Sequence, residues 1–245
     1  MKRLGWGLAA LSIIVISALA VLPARWLLLA LPEDSPVSIV DASGTLWHGE
    51  ARLALGFPGQ RSTLANALQW RWSWQAGPRL VLEHPWLNQA MPVRFGWRRV
   101  SLPARDLQLP AIVLTQLGAP FNTLQPSGQL QLSWPALTLG GAVPQGLLAT
   151  VHWRQAGTAL SLLRPLGDYR ATLNGQANAL HLEVSTLQGV LLVEGKGNWR
   201  GSRFDYQGQA RPALASTPEQ RIALDAVLSA IGTRSGETSV MKFQR

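Results

Sequence analysis

Apolar and polar residues alternate along most of this chain, and the one long break in that pattern lies near its start. Leu4–Ala24 reads LGWGLAALSIIVISALAVLPA, with no charged residue and only Ser12 and Ser17 as hydroxyls. A helix rises about 1.5 Å per residue, so roughly 20 apolar residues cross a hydrocarbon layer of about 30 Å. The pattern therefore predicts a cytoplasmic start and transmembrane helix over residues 1–25 and a juxtamembrane linker over 26–36, broken by Pro32 and Pro36. Residues 37–245 form the domain delivered to one side of the membrane.

From Val37 onward, short alternating runs are separated by Gly, Pro, Asn or Ser, the signature of antiparallel strands. The expected fold is mainly β: an N-terminal transmembrane helix, then a strongly twisted antiparallel β-rich domain with two short helices. Early strands are expected at Val37–Asp41, Gly44–His48 (turning near Ser43), Glu50–Leu55 and Leu68–Trp74. The last of these puts Leu68, Trp70, Trp72 and Trp74 on one face, since side chains repeat every two residues along a strand. Arg79–Glu83, Met91–Trp97 and Arg98–Leu102 follow. Later strands are Gly128–Trp134, with Leu130, Leu132 and Trp134 on one face, then Gly146–Arg154, Thr158–Leu163, Tyr169–Leu173, Ala179–Ser185, Val190–Trp199, Arg203–Ala210 and Ser239–Phe243.

Two helices interrupt the strands. Pro110–Leu117 has proline at its start and Gly118 at its stop. Thr217-Pro218-Glu219-Gln220 is a capping box that opens a helix with Ile222, Leu224, Val227, Leu228 and Ile231 as its apolar stripe, and Gly232 is its expected left-handed cap. Glycine recurs two residues before leucine at strand starts in Ser43–Leu46, Ser127–Leu130 and Gln188–Leu191. This repetition suggests two related halves, 37–120 and 121–245, which could form an open groove.

Charge sets the orientation. Lys2 and Arg3 precede the span, whereas Glu33 and Asp34 soon follow Arg25, so the positive-inside rule places the amino terminus in the cytoplasm. A cleavable signal peptide is the competing reading, with Ala18-Leu19-Ala20 as its cleavage pattern, although the apolar run is longer than a usual signal core. Both readings export the same domain. The net charge of +9 falls to +6 without Lys2, Arg3 and Arg25, and the arginines are scattered. A nucleic-acid binder shows a basic stripe or cluster, so nucleic acid is not an expected partner.

The chain has no cysteine, which excludes disulfides and thiolate chemistry. Its four histidines, His48, His84, His152 and His181, lack metal-ligand spacing, and His181-x-Glu183 alone is a weak pair. No nucleophile elbow or phosphate loop is present; Gly195-Lys196-Gly197 lies inside a strand pattern. No metal, cofactor or catalytic residue is expected. Trp70, Trp72, Trp74, Leu130, Leu132 and Trp134 are candidates for an apolar, lipid-binding groove, set against a buried sheet face.

Several fragments, taken in order, resemble the type II secretion system protein N family. Gly44-Thr45-Leu46-Trp47-His48-Gly49-Glu50-Ala51 resembles its G-x-L-W-x-G-x-A stretch, and Trp70-Arg71-Trp72 its W-x-W strand. Pro165-Leu166-Gly167-Asp168-Tyr169-Arg170 resembles its P-L-G-D-Y-R block, and Thr186–Gly195, containing Gly189 and Gly195, a later element. Gln188-Gly189-Val190 departs from the Gly-Pro often seen there. The resemblance implies a non-enzymatic inner-membrane accessory of the machine that exports folded proteins across the outer membrane. Its domain would be periplasmic and its partners other subunits of that machine. It also implies structural roles for Gly44, Leu46, Trp47, Gly49, Pro165, Leu166, Gly167, Asp168, Tyr169, Gly189 and Gly195. A more distant likeness to AsmA proteins implies the alternative, a periplasmic lipid-binding or lipid-transfer groove. Within the span, Gly5, Ala9 and Ser12 share one face at spacings that permit close helix approach.

Overall fold

The structure, a computed structural model, describes residues 14–15, 17–29, 35, 37–56, 61–75, 77–118, 120–201 and 203–244. Most of the predicted span lies outside the described residues, and so do Gly5, Ala9 and Ser12. Ile14, Val15 and Ser17–Ala20 are helical. Among the described residues, no helix is long and apolar enough to cross a membrane. The helix ends at Ala20, earlier than Ala24. Pro23 disfavours helical geometry in the residue before it, and Ala24–Leu29 continues as a 3-10 helix. The described chain is mainly β, with antiparallel sheets and few helices, in two compact units, residues 1–85 and 86–245.

In the first unit, β1 (Val37–Gly44), β2 (His48–Leu55), β4 (Leu68–Ser73) and β5 (Arg79–Glu83) lie side by side, and β3 (Ser62–Thr63) pairs with β2. The expected turn at Ser43 and strand at Gly44–His48 are not observed. β1 runs through Ser43 and the chain reverses over Thr45–Trp47, because Gly44 supplies the left-handed backbone (φ 88°) and Thr45 N–H bonds to the His48 carbonyl at 2.8 Å. Gly49 pairs with Trp70 and Ala51 with Leu68, so small residues face large ones. Ala24, Ala51 and Trp70 form the core, with Ile39, Leu53, Leu80 and Leu82 against them.

The second unit begins with β6 (Met91–Gly96), β7 (Arg99–Leu102) and β8 (Arg105–Pro110), then β9 (Ser127–Trp134) and β10 (Leu137–Leu139). Next come β11 (Gly146–Gly157), β12 (Gly167–Gln176), β13 (Ala179–Gly189), β14 (Leu191–Arg200), β15 (Arg203–Pro212), β16 (Thr233–Ser235) and β17 (Thr238–Gln244). β6, β7 and β10 pair in that order. The others form a nine-stranded antiparallel sheet ordered β16-β17-β15-β14-β13-β12-β11-β9-β8.

Several local expectations change here. Thr158–Leu163 is a loop, because its hydroxyls offer backbone groups partners outside a strand ladder. Thr158 Oγ1 donates to the Leu124 carbonyl and accepts Leu160 N–H at 3.3 Å, while Ser161 Oγ accepts Leu163 N–H at 3.2 Å. The three-residue strands β10 and β16 carry too few alternations to stand out, whereas β8 alternates Leu107 and Leu109 against Asp106 and Gln108 and is missed beside the proline at its end. Ala111–Leu117 is a 3-10 helix, and a further helical turn, Phe121–Leu124, follows it.

The Pro218–Ile231 helix has the full capping box: Thr217 Oγ1 accepts Gln220 N–H at 3.3 Å and Gln220 Oε1 accepts Thr217 N–H at 3.0 Å. Its Leu224, Val227 and Leu228 pack onto Leu124, Leu166, Leu191 and Ala210 to make the second unit's core. Ile222 is 72% exposed, since two helical steps turn it away from Leu224. Gly232 is extended, not left-handed. Glycine suits it for another reason: a Cβ there would crowd the Val240 carbonyl carbon at 2.9 Å.

Candidate interaction surface

The Gly44–Gly49 turn does more than reverse the chain. Leu46 N–H donates to the Leu22 carbonyl at 2.9 Å, and Thr45 bridges to Pro23. Trp47 Nε1–H donates to the Leu19 carbonyl at 2.7 Å. The turn thus holds the chain where it leaves its N-terminal helix, and the Trp47 indole gives the Leu19 carbonyl at the helix end a second, shorter bond beside the 3.4 Å one from Leu22 N–H. From the other side, Trp70 Nε1–H donates to the Leu46 carbonyl at 3.2 Å. Gly49 makes this possible, because a Cβ there would stand 2.8 Å from Trp70 Cζ2.

The three indoles on and just after β4 have different fates. Trp70 is buried, Trp72 is half-buried, and Trp74 lies just past the strand end, 65% exposed. Trp72 stacks on Trp74 at 6.0 Å and meets Trp47 edge-on at 6.3 Å. These contacts leave a row of three indoles on one side of the first unit.

In the second unit, the Pro165–Tyr169 block is a staple across β11, β12 and β13. The Arg164–Pro165 bond is cis. Leu166 is buried; its N–H donates to the Ala156 carbonyl at 2.7 Å and its carbonyl accepts Val190 N–H at 2.9 Å. Gly189 (φ 145°) and Gly167 approach so closely that side chains would collide with the facing backbone. Asp168 accepts Gln155 N–H at 2.6 Å and the Gln188 side-chain amide at 2.7 Å. Buried Tyr169 donates to the Leu191 carbonyl at 2.9 Å; burial pushes its phenol above the usual tyrosine range, and the Asp168 charge adds to the shift. Gln155, one of Asp168's partners, lies in no motif, and Gln188, the other, lies in the Thr186–Gly195 element with nothing in the sequence to pair it with Asp168.

The nine-stranded sheet has two unlike faces. Leu107, Leu132, Val151, Ala171 and Val184 form one cross-strand row, all half-buried. Leu130 is buried, and Trp134, half-buried, donates its Nε1–H to the Pro103 carbonyl at 3.0 Å. On β14 and β15, Gly195 pairs with Gly208, and the Tyr206 ring lies over both. The opposite face carries the row Gln108, Gln131, His152, Arg170 and Ser185. Burial holds His152 below the usual imidazole range, assisted by the charges of Arg170 and Arg154. His181 Nδ1 sits 2.6 Å from Asn198 Oδ1 on the neighbouring strand, so it is engaged in the sheet itself.

The family description "Type II secretion system (T2SS), protein N" matches residues 35–241, which include both the Gly44–Gly49 turn and the Pro165–Tyr169 staple. The chain belongs to the type II secretion system protein N family. The "Type II secretion system protein N" of Klebsiella pneumoniae is 28% identical over 230 residues, spanning 87% of this chain and 87% of that protein. No solved structure matches. Membership in the protein N family implies a role in type II secretion, as a component of the machinery in the cell envelope; the family is not known as an enzyme.

Proposed function

We propose that this protein is a non-enzymatic accessory component of the type II secretion machinery. The single span predicted over Leu4–Ala24 anchors it in the inner membrane with its amino terminus in the cytoplasm. Its β-rich domain acts in the periplasm on protein export across the outer membrane, through contacts with other subunits. The family match over residues 35–241 carries this reading. The geometry of the motifs supports it: Gly44, Gly49, Gly167, Asp168, Tyr169 and Gly189 are all engaged in holding strands and turns together. A deletion strain should retain the machine's substrates in the periplasm while their delivery to the periplasm continues, and the full chain should restore secretion. Normal secretion from that strain would reject the reading. Photo-crosslinking in the native membrane should capture other subunits of the machine.

A second reading, periplasmic lipid binding, draws on the half-buried apolar row from Leu107 to Val184 and on Leu130 and Trp134 beside it. An apolar sheet face of this kind suits acyl chains. Lipid copurifying with the chain, detected by mass spectrometry, would support it; a lipid-free chain that restores secretion would end it.

A further inference from the structure

We propose that Trp47, Trp72 and Trp74 lie in the interfacial layer of the bilayer, so that the sheet of the first unit rests on the lipid headgroups. This rests on the reading of Leu4–Ala24 as a membrane span. The indoles are tied to the span's end with no linker between. Trp47 bonds to the Leu19 carbonyl at 2.7 Å, Leu46 N–H to the Leu22 carbonyl at 2.9 Å, and Thr45 bridges Pro23. The expected linker, residues 26–36, comes after all three ties, so it cannot lift this turn away from the membrane.

Depth follows from length. A helix from Leu4 to Ala20 would extend roughly 25 Å, close to the hydrocarbon thickness. The Leu19 carbonyl therefore stands at the boundary between hydrocarbon and headgroups. That carbonyl accepts only a long bond, 3.4 Å, from Leu22 N–H, and the hydrocarbon offers it no further donor. Trp47 supplies a second, shorter bond at 2.7 Å and is held at the same depth. Trp72 and Trp74 continue the row outward at 6.3 and 6.0 Å. Trp47 is 37% and Trp74 65% exposed, with Val21 68% exposed nearby in the chain. Exposed indoles are poorly placed in water and well placed at a membrane interface, where the ring meets acyl chains and the N–H meets polar groups.

The chain has no cysteine, so Gln75→Cys creates one labelling site beside Trp74, and Gln69→Cys one on the opposite face of β4. The full chain, labelled with nitrobenzoxadiazole, is reconstituted into vesicles of phosphatidylethanolamine and phosphatidylglycerol with no other protein. The label at 75 should emit at shorter wavelength than the label at 69. It should also lose intensity when lipids carrying a nitroxide near the headgroup are included. Identical, unquenched emission from both sites in a chain that resists alkaline carbonate extraction would overturn the proposal and leave the span intact; the indoles would then await a protein partner. A chain extracted by carbonate would overturn the span and the proposal together.

Discussion

Asp168 reaches across from β12 to accept the backbone N–H of Gln155 on β11 at 2.6 Å. Gln155 has a left-handed backbone (φ 49°), and the register of β11 shifts beside it. The carboxylate thus holds a bulge that glutamine would not adopt unaided. Hydrogen bonds to a charged group contribute about 1.5–3 kcal/mol, less where water competes. Asp168→Ala should cost about 1–2 kcal/mol and lower Tm by roughly 3–6 °C in detergent, followed by circular dichroism. Gln155→Gly in the same chain should recover part of the loss, because glycine takes the left-handed conformation freely. An unchanged Tm for Asp168→Ala would make the carboxylate a bystander.

Tyr169 and Tyr206 are the two tyrosines of the chain. Burial raises both phenols, with the Asp168 charge adding to the shift at Tyr169. A raised folded pKa means that the native state keeps protons which the unfolded chain loses above about pH 10. The stabilisation is therefore complete below about pH 10 and declines as pH rises beyond it. Tyr169→Phe should cost about 1 kcal/mol near pH 8 through the lost bond to Leu191. The gap between wild type and variant should narrow above about pH 10, as read from urea unfolding across pH. A constant gap would show that Tyr169 ionises alike in both states.

Tyr206 covers glycines on its own and the adjacent strand. A Cβ at Gly195 would stand 2.6 Å from Tyr206 Cζ, and one at Gly208 would stand 2.8 Å from its hydroxyl oxygen. Gly195→Ala should destabilise by about 1–3 kcal/mol, as overpacking does. In a Tyr206→Ala background most of that cost should vanish, a coupling that a double-mutant cycle measures. Equal costs in both backgrounds would assign the glycine to backbone conformation instead.

Ser239 is fully buried, and its Oγ has no hydrogen-bond partner among the described residues. An unpaired buried hydroxyl costs about 1–3 kcal/mol. Ser239→Ala should therefore raise Tm by roughly 2–4 °C for each kcal/mol regained. A lowered Tm would mean that the hydroxyl is satisfied in solution.

The sequence made the strands legible wherever alternation ran long, as at Leu68–Ser73, Ala179–Gly189 and Arg203–Pro212. It misled at Thr158–Leu163, where serine and threonine hydroxyls bond the backbone two residues on and, for Thr158, the Leu124 carbonyl. It also misled at Ile222, which fits an apolar count but not the helix face. The motifs were visible as motifs, but which residues they bond to was not. Trp47 meets Leu19 across 28 residues, and Asp168 meets Gln188 across 20. Such pairs carry no periodic signal, because only the sheet register and the turn bring them together.

Gly49 offers the sharpest link between fold and function. Its Cα faces the Trp70 ring, and a methyl group there would also clash with the Ser43 carbonyl. The β1–β2 ladder fixes the backbone on one side, pairing Gly44 with Gly49. Gly49→Ala must therefore displace Trp70, and with it the bond to the Leu46 carbonyl that steadies the turn. Overpacking of this kind costs about 1–3 kcal/mol, and the turn that grips Leu19 and Leu22 should loosen. Gly96→Ala is the control, since a Cβ there meets only the Arg99 carbonyl at an ordinary 3.7 Å. In the deletion strain, Gly96→Ala should restore secretion and Gly49→Ala should fall short. The Gly49→Ala chain should also be cut faster by protease near the turn. Full restoration with wild-type protease resistance would show that Trp70 can lift off Gly49 without loosening the turn.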